Sequence, residues 1–428
     1  MLVGLGTATY GIIEISKVRD SKEERSRAFW GIELITIMTS VICILVWICT
    51  SLVYKEYTKI MLVMTMYLLA AVFDISWFFL GIEKVKYTVF INSIFKIIGV
   101  VLIFIFIKKT DDLIKYTAIL SGSLMLGNLS MWIFLPRFVS NSTVTVQNIL
   151  YHIKGTVLYF IPTIASSVYM VLDKTLIGAI THNAAENGYY EQATKIINLV
   201  KTVTFTSLNT LLGSRMAYLF AHNEKKEIVH KRDFALNYVL LVGIGACFGL
   251  IGISKNFVPI FFGGEYGNVI IFLILMTPLI PVMGISNLIG NLYYNPSGQR
   301  KKSTILLVIG CCVNIVLNAV FIPIFNGCGA IIASIIAEVL ISIMYVHCSK
   351  GFVTFAQLMK FSWKKILSGV IMMIVVIAVD RFCGDGIITL MLQLTFGVLT
   401  YLVMLIVLRD AFVNQCKQTV LKRLGKLQ

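Results

Sequence analysis

Several side chains stand in stretches that are otherwise too apolar to tolerate them, and their spacing is helical. In KIINLVKTVTFTSLNTLLGSRMAYLFA, residues 195–221, the series Lys195, Asn198, Thr202, Thr206 and Asn209 recurs every three or four positions. On a helix these residues share one face, with Lys201 one turn beyond Asn198 and Arg215 near the far end. Amides and hydroxyls alone would serve as glue between helices. The added lysines point instead to a face lining a polar cavity. A second feature is YMVLDKTLIGAI, where Asp173 and Lys174 interrupt an apolar run. Each such charge costs roughly 2.5–3.5 kcal/mol at the centre of a bilayer. Lys174 can snorkel to the outer surface. Asp173, roughly 10 Å inside the outer end of its helix, cannot do so easily. It therefore either pairs with Lys201 or Lys195 on the next helix or forms a gate or ion site. Mid-span charges also occur at Lys96 (NSIFKIIGVV), Asp74 (AAVFDISWFF) and Glu338 (AIIASIIAEVLISI). An isolated carboxylate at that depth protonates or finds a cation. Asp74, Asp173 and Glu338 are thus candidates for H⁺ or Na⁺ coupling, and a buried salt bridge within a lobe is the competing account of Asp74 and Glu338.

The elements that hold these groups follow from composition. Of 428 residues 58% are hydrophobic and 14% charged, with a mean hydropathy of +0.87. Soluble chains carry roughly 25% charged residues, and a helix needs only about 18–20 apolar residues to cross a bilayer. We place twelve complete spans, near 29–53, 60–82, 88–107, 114–135, 157–182, 195–220, 234–253, 269–292, 304–325, 329–348, 366–383 and 387–408. The fold class is an all-α polytopic membrane protein. A β-barrel is excluded, because its strands alternate over about 10 residues. Pro278 and Pro281 in TPLIP should free backbone carbonyls and bend span 269–292. Asn287, Asn291 and Asn295, then Asn314 and Asn318, repeat at four-residue spacing and read chiefly as packing and bending elements.

The net charge of +16 does not signal a nucleic-acid partner. With the loop after residue 13 placed in the cytoplasm, the outer connections hold only Lys55, Lys59, Lys108, Lys109, Lys115, Lys255 and Arg381, which is the positive-inside pattern. The basic tail RDAFVNQCKQTVLKRLGKLQ then lies in the cytoplasm against anionic lipid. The nine cysteines are scattered without a Cys-x-x-Cys and without clustered histidines, so no metal site or disulfide framework is expected. No Walker A, Gly-x-Ser-x-Gly or His-Glu-x-x-His motif occurs. The outer loops are also too short for an enzyme acting on extracytoplasmic sugar chains, so a transporter is expected rather than an enzyme.

Domain organisation is read as an N-terminal lobe, 1–135, a cytoplasmic linker, 136–156, a C-terminal lobe, 157–348, two additional helices, 349–408, and a basic tail, 409–428. MLVGLGTATYGII is too short to span. The similarity of GLGTATYGIIEISKVRDSKEE to LLGSRMAYLFAHNEKKE suggests a repeat whose first copy lacks its opening helix and half its second. A full form of fourteen spans is expected, with two six-helix lobes around a central cavity and two extra helices. Parallel repeats of this kind hold a substrate near the midplane.

YMVLDKTLIGAITHNAAENGYYEQATKIINLV resembles the signature region of Wzx-type flippases, the polysaccharide transporters of capsule, exopolysaccharide and O-antigen synthesis. GTATYGIIEISKVRDSKEERSRAFW and NPSGQRKKSTILLVIGCCVNIVLNAVFIPIFNGCGAIIASIIAEV are similar to other parts of that family, so the likeness spans essentially the whole chain. The family sits in a superfamily with MATE drug exporters and the lipid II flippase MurJ, and its pattern normally carries a further N-terminal helix and a half. The resemblance implies a bacterial cytoplasmic-membrane protein moving undecaprenyl-diphosphate-linked oligosaccharide from inner to outer leaflet by alternating access. A polysaccharide polymerase and a chain-length regulator are implied partners, and no cofactor beyond a coupling H⁺ or Na⁺. The headgroup would meet Lys96, Lys174, Lys195, Lys201 and Arg215 with Asn198 and Asn209, Lys201 and Lys96 being the leading cations. A MATE-like cation-coupled exporter of small molecules, which should show a cavity of carboxylates and aromatics for cationic substrates, and a flippase of another lipid-linked precursor such as lipid II or teichoic acid are the alternatives.

Overall fold

The computed structural model describes residue 4 and residues 6–424. The side chains of residues 9, 110, 158–170, 206–207, 210–211, 214, 221 and 419–424 lie outside that description, and Thr206 of the expected polar series is among them. Helix is the only regular structure among the described residues. The order is α1 (Thr7–Lys17), α2 (Lys22–Val53), α3 (Thr58–Val72), α4 (Ser76–Gly81), α5 (Val85–Phe106), α6 (Leu113–Trp132), α7 (Val146–Thr181) and α8 (Ala184–Lys201). Then come α9 (Ser207–Ala221), α10 (Lys225–Phe262), α11 (Gly267–Met276), α12 (Leu279–Ile289), α13 (Arg300–Cys348), α14 (Phe355–Cys383), α15 (Ile387–Val407) and α16 (Ala411–Leu424). The expected crossing stretches fall largely on helix, with interruptions at 73–75 and 277–278. Among the described residues eight helices are long and apolar enough to cross a membrane, nine with one bent pair. One of them, α13, holds two of the expected spans.

The chain forms two compact units, one ending at Ser167 and the other beginning at Val168, within α7. The first unit takes in the stretch expected as a linker, because that stretch is tied down. The Arg25 guanidinium donates to the Phe138 carbonyl (2.8 and 3.1 Å), and the Trp30 indole donates to the Ser140 carbonyl (3.2 Å). The beginning of α7 is held by a 2.8 Å hydrogen bond between Tyr10 and His152. An aromatic core stacks Phe29 on Trp77 at 5.5 Å and joins Phe78 and Trp132 to them.

The span expected at 60–82 is broken in this unit. Helix α3 stops at Val72 and α4 restarts at Ser76, whose N–H donates to Asp74 Oδ1 at 2.9 Å. Asn128 donates to the Ala70 carbonyl (2.6 Å) and Trp132 to the Phe73 carbonyl (2.9 Å), both on α6. Irregular backbone at membrane depth persists only where such groups satisfy it. No Pro or Gly marks this break.

In the second unit α13 doubles back at Asn326, whose φ of 51° lies in the left-handed region. A Cβ on Gly329 would sit 2.2 Å from the Phe321 carbonyl oxygen, so the two arms meet there closely. The arms run antiparallel, joined by Ser303 to Tyr345 (2.6 Å) and Lys302 to the Cys348 carbonyl (3.1 Å). Pro278 and Pro281 sit at the break between α11 and α12, and the segments they separate are bent by 46°. Ser342 donates to the Val282 carbonyl (3.0 Å) just beyond the break.

Helix α12 closes on α10 through Gly284, where an added Cβ would lie 2.6 Å from Val239 Cγ1 and 2.8 Å from the Phe205 ring. Overpacking of this kind costs about 1–3 kcal/mol. Gly284→Ala should therefore lower the thermal midpoint in detergent, checked by a fluorescence melt, while Gly188→Ala, with open space around it, should not.

Helices α14 and α15, the two additional helices expected after the C-terminal lobe, pack on α10. Ile253, Met372, Val376, Leu390, Tyr401 and Leu405 form one buried cluster. The Tyr401 hydroxyl donates to the Leu241 carbonyl at 2.9 Å.

Candidate functional site

The densest buried polar cluster among the described residues centres on Asp173, in the second unit. Asn318 Nδ2 donates to its Oδ1 (2.6 Å), and the hydroxyls of Tyr190 (2.7 Å) and Ser334 (2.5 Å) donate to its Oδ2. Asn314 donates to Ser334 (3.2 Å) and accepts from Asn318 (3.0 Å). Asn314 and Asn318 are fully buried, and Asn318 Oδ1 has no hydrogen-bond partner. Four helical segments supply the cluster: α7, α8 and the two arms of α13. The fold at Asn326 brings Asn314 and Ser334 together, and the i, i+4 spacing aims Asn314 and Asn318 from one face. One end is closed by Asn183, which caps α8, and by Glu186, which accepts from the Gly327 N–H at 3.2 Å. Anionic oxygen, amide and hydroxyl groups converging in a dry setting can hold a cation or a proton.

Asp173 therefore has a different set of partners from those expected. It does not pair with Lys201 or Lys195, because carboxamide and hydroxyl donors from three neighbouring segments already occupy both its oxygens. Its neighbour Lys174 points elsewhere on α7 and pairs with Glu191, which also has Lys195 at 3.9 Å. Helical neighbours point about 100° apart, so one α7–α8 contact solvates both members of the Asp173–Lys174 pair separately.

The polar face expected along residues 195–215 continues onto α12. Lys201 ends α8, and a π-helical segment, Thr202–Thr206, follows. A second, Gly290–Tyr294, follows α12. Such bulges re-aim side chains and occur often at functional sites. Lys201 Nζ lies 3.3 Å from Met283 Sδ, with Glu338 its buried acidic neighbour. Asn209 donates to Asn287 Oδ1 (2.7 Å), Asn291 donates to the same oxygen (3.3 Å), and Asn295 donates to Asn291 (3.2 Å). The asparagines read as bending elements thus form a ladder of open carboxamides. Asn198 is half-buried, and its carbonyl accepts from Thr202 (2.8 Å). Arg215 is exposed, 5.2 Å over the Tyr218 ring.

Two expected residues belong to the first unit. Lys96 is exposed on α5, without a partner among the described residues. Asp74 stands at the break between α3 and α4. The roles of Tyr190, Glu191 and Ser334 were not legible from spacing. Ser334 and Tyr190 look like ordinary span residues until the α13 turn and the α7–α8 hairpin place them on Asp173.

Residues 1–212 match a family model described as "Polysaccharide biosynthesis protein". The chain is 24% identical to a putative O-antigen transporter of Shigella dysenteriae over 77% of this chain and 83% of that one. It is 23% identical to one of Escherichia coli (strain K12), over 82% and 86%. Among solved structures it is similar to the lipid II flippase MurJ in an inward closed conformation, with a TM-score of 0.75, 18% identity and coverage of 96% and 90%. An outward-facing multidrug resistance MATE transporter gives a TM-score of 0.54 at 12% identity, over 88% and 84%. These two likenesses carry the fold. The chain is thus similar to polysaccharide biosynthesis and O-antigen transport proteins in sequence, and to MurJ and the MATE transporter in fold.

Proposed function

We propose that the chain is a flippase that moves oligosaccharides linked to undecaprenyl diphosphate from the inner to the outer leaflet of a bacterial cytoplasmic membrane. The observation that carries this reading is the ladder of Asn209, Asn287, Asn291 and Asn295, with Lys201 against Met283 one turn before Asn287 on α12. An ammonium group beside a ladder of carboxamides suits a ligand that is anionic at its diphosphate and rich in hydroxyls along its sugars. The lipid tail can stay in the bilayer while the headgroup follows that face, which opens alternately to the two sides of the membrane. The names of the O-antigen relatives and of MurJ support lipid-linked saccharide as the class of cargo. Asp173 is the group we assign to coupling, taking a cation or a proton among Asn314, Asn318 and Ser334.

The test is complementation of a strain lacking its own polysaccharide flippase, with membrane abundance measured in parallel. Lys201→Ala should reach normal abundance yet restore about a tenth or less of surface polysaccharide, a loss of roughly 1.4 kcal/mol or more in transition-state or ground-state binding. Full complementation by Lys201→Ala would return Lys201 to a packing role. Failure of the wild-type chain across several sugar types, with export of small cations instead, would favour the MATE-like reading.

A further inference from the structure

The first unit contains a buried acid that the proposed transport face does not use. Glu33 lies on α2 one turn beyond Phe29, is fully buried, and has no hydrogen-bond partner for either carboxylate oxygen among the described residues. Phe29, one turn back on the same helix, stacks on Trp77 and meets Phe78 edge-on, all three buried, and the Trp77 indole N–H is likewise unpartnered. The hydroxyls nearest along α2 are committed, Thr36 to the Ile32 carbonyl and to Thr7, Ser40 to the Thr36 carbonyl.

We infer that Glu33 is an exchangeable proton-binding site of the first unit, with Asp74 at the nearby helix break as its electrostatic partner. A carboxylate left charged and unpaired in such surroundings costs several kcal/mol, whereas one proton neutralises it. A metal cation is the poorer occupant, because hard cations need a shell of several oxygens and this cluster is aromatic. Lys55, Glu56 and Lys59 lie at the far end of α2, and the titratable groups at its near end bond among themselves. Tyr10 of α1 and His152 of α7 bond to each other, and Glu14 pairs with Lys17 while accepting from Tyr151. Lys115, at the start of α6, pairs with Asp112, and Tyr67 of α3 neighbours Tyr116. Asp74, half-buried at the break between α3 and α4, stands three residues before Trp77, the ring that stacks on Phe29. The break supplies the polar groups that a proton needs to arrive or leave. This inference does not depend on what the chain carries.

Infrared spectroscopy of the full chain in proteoliposomes tests it. The wild type should show a carboxylic-acid carbonyl band at neutral pH that Glu33→Gln removes and Glu33→Asp shifts. The band should vanish reversibly on alkalinisation, and Asp74→Asn should move the pH at which it does so. Should Glu33→Gln fail to accumulate, the Glu33→Asp shift and the wild-type titration still decide. A spectrum unchanged by either Glu33 variant overturns the proposal. So does a band that never responds to pH, since Glu33 would then be a permanently neutral packing group.

Discussion

Asp173→Asn should abolish complementation of a flippase-deficient strain while the protein still reaches the membrane in near-normal amount. The change keeps the size of the side chain and removes its charge. An amide oxygen can still accept from Tyr190 and Ser334, so the structural loss is about one hydrogen bond, to Asn318, worth roughly 0.5–1.5 kcal/mol. Asp173→Ala is expected to behave differently. It strands three buried donors at about 1–3 kcal/mol each, so abundance falls together with export. The contrast separates a coupling role from a structural one. Surface polysaccharide is measured by antibody or stain against membrane abundance. Normal export by Asp173→Asn would reduce Asp173 to a structural post between α7, α8 and α13.

Lys365→Met should lower stability by about 3–5 kcal/mol, the usual effect of removing one partner of a buried ion pair. Lys365 is fully buried on α14 and donates to Asp410 (3.1 Å), Asn237 (3.0 Å) and the Phe361 carbonyl (2.8 Å). Asp410, also buried, caps α16 by accepting from the N–H groups of Phe412 and Val413. The single change leaves that carboxylate in a dry site without a cation. The double variant Lys365→Met/Asp410→Asn should recover most of the loss, because asparagine retains the cap and no unpaired charge remains. Thermal unfolding in detergent gives the comparison. A double variant no better than the single would place the effect in packing of the lysine stem and not in its charge.

These two sites show where local sequence stops being informative. Lys365 stands in an apolar helix with nothing nearby in sequence to balance it, and its partner is 45 positions away. Asp173 takes partners from positions 190, 318 and 334. Spacing pointed to Lys201 and Lys195 because they lie on the next helix, but partner choice depends on which faces meet after packing. Lys174 and Glu191 meet for the same reason.

What the sequence determined by itself was each segment's free energy of transfer into lipid and its local backbone rules. Twenty apolar residues must be largely helical in a bilayer, so the expected spans fall mainly on helix, and two prolines three apart separate α11 from α12. The i, i+4 asparagines already defined a shared face. Tertiary structure alone decided where that face led, that α3 would break at Asp74 with no proline to announce it, and that Glu33 would be buried without a hydrogen-bond partner. In each case the deciding energy is desolvation of a polar group, and its sign depends on neighbours that the chain brings together only by folding.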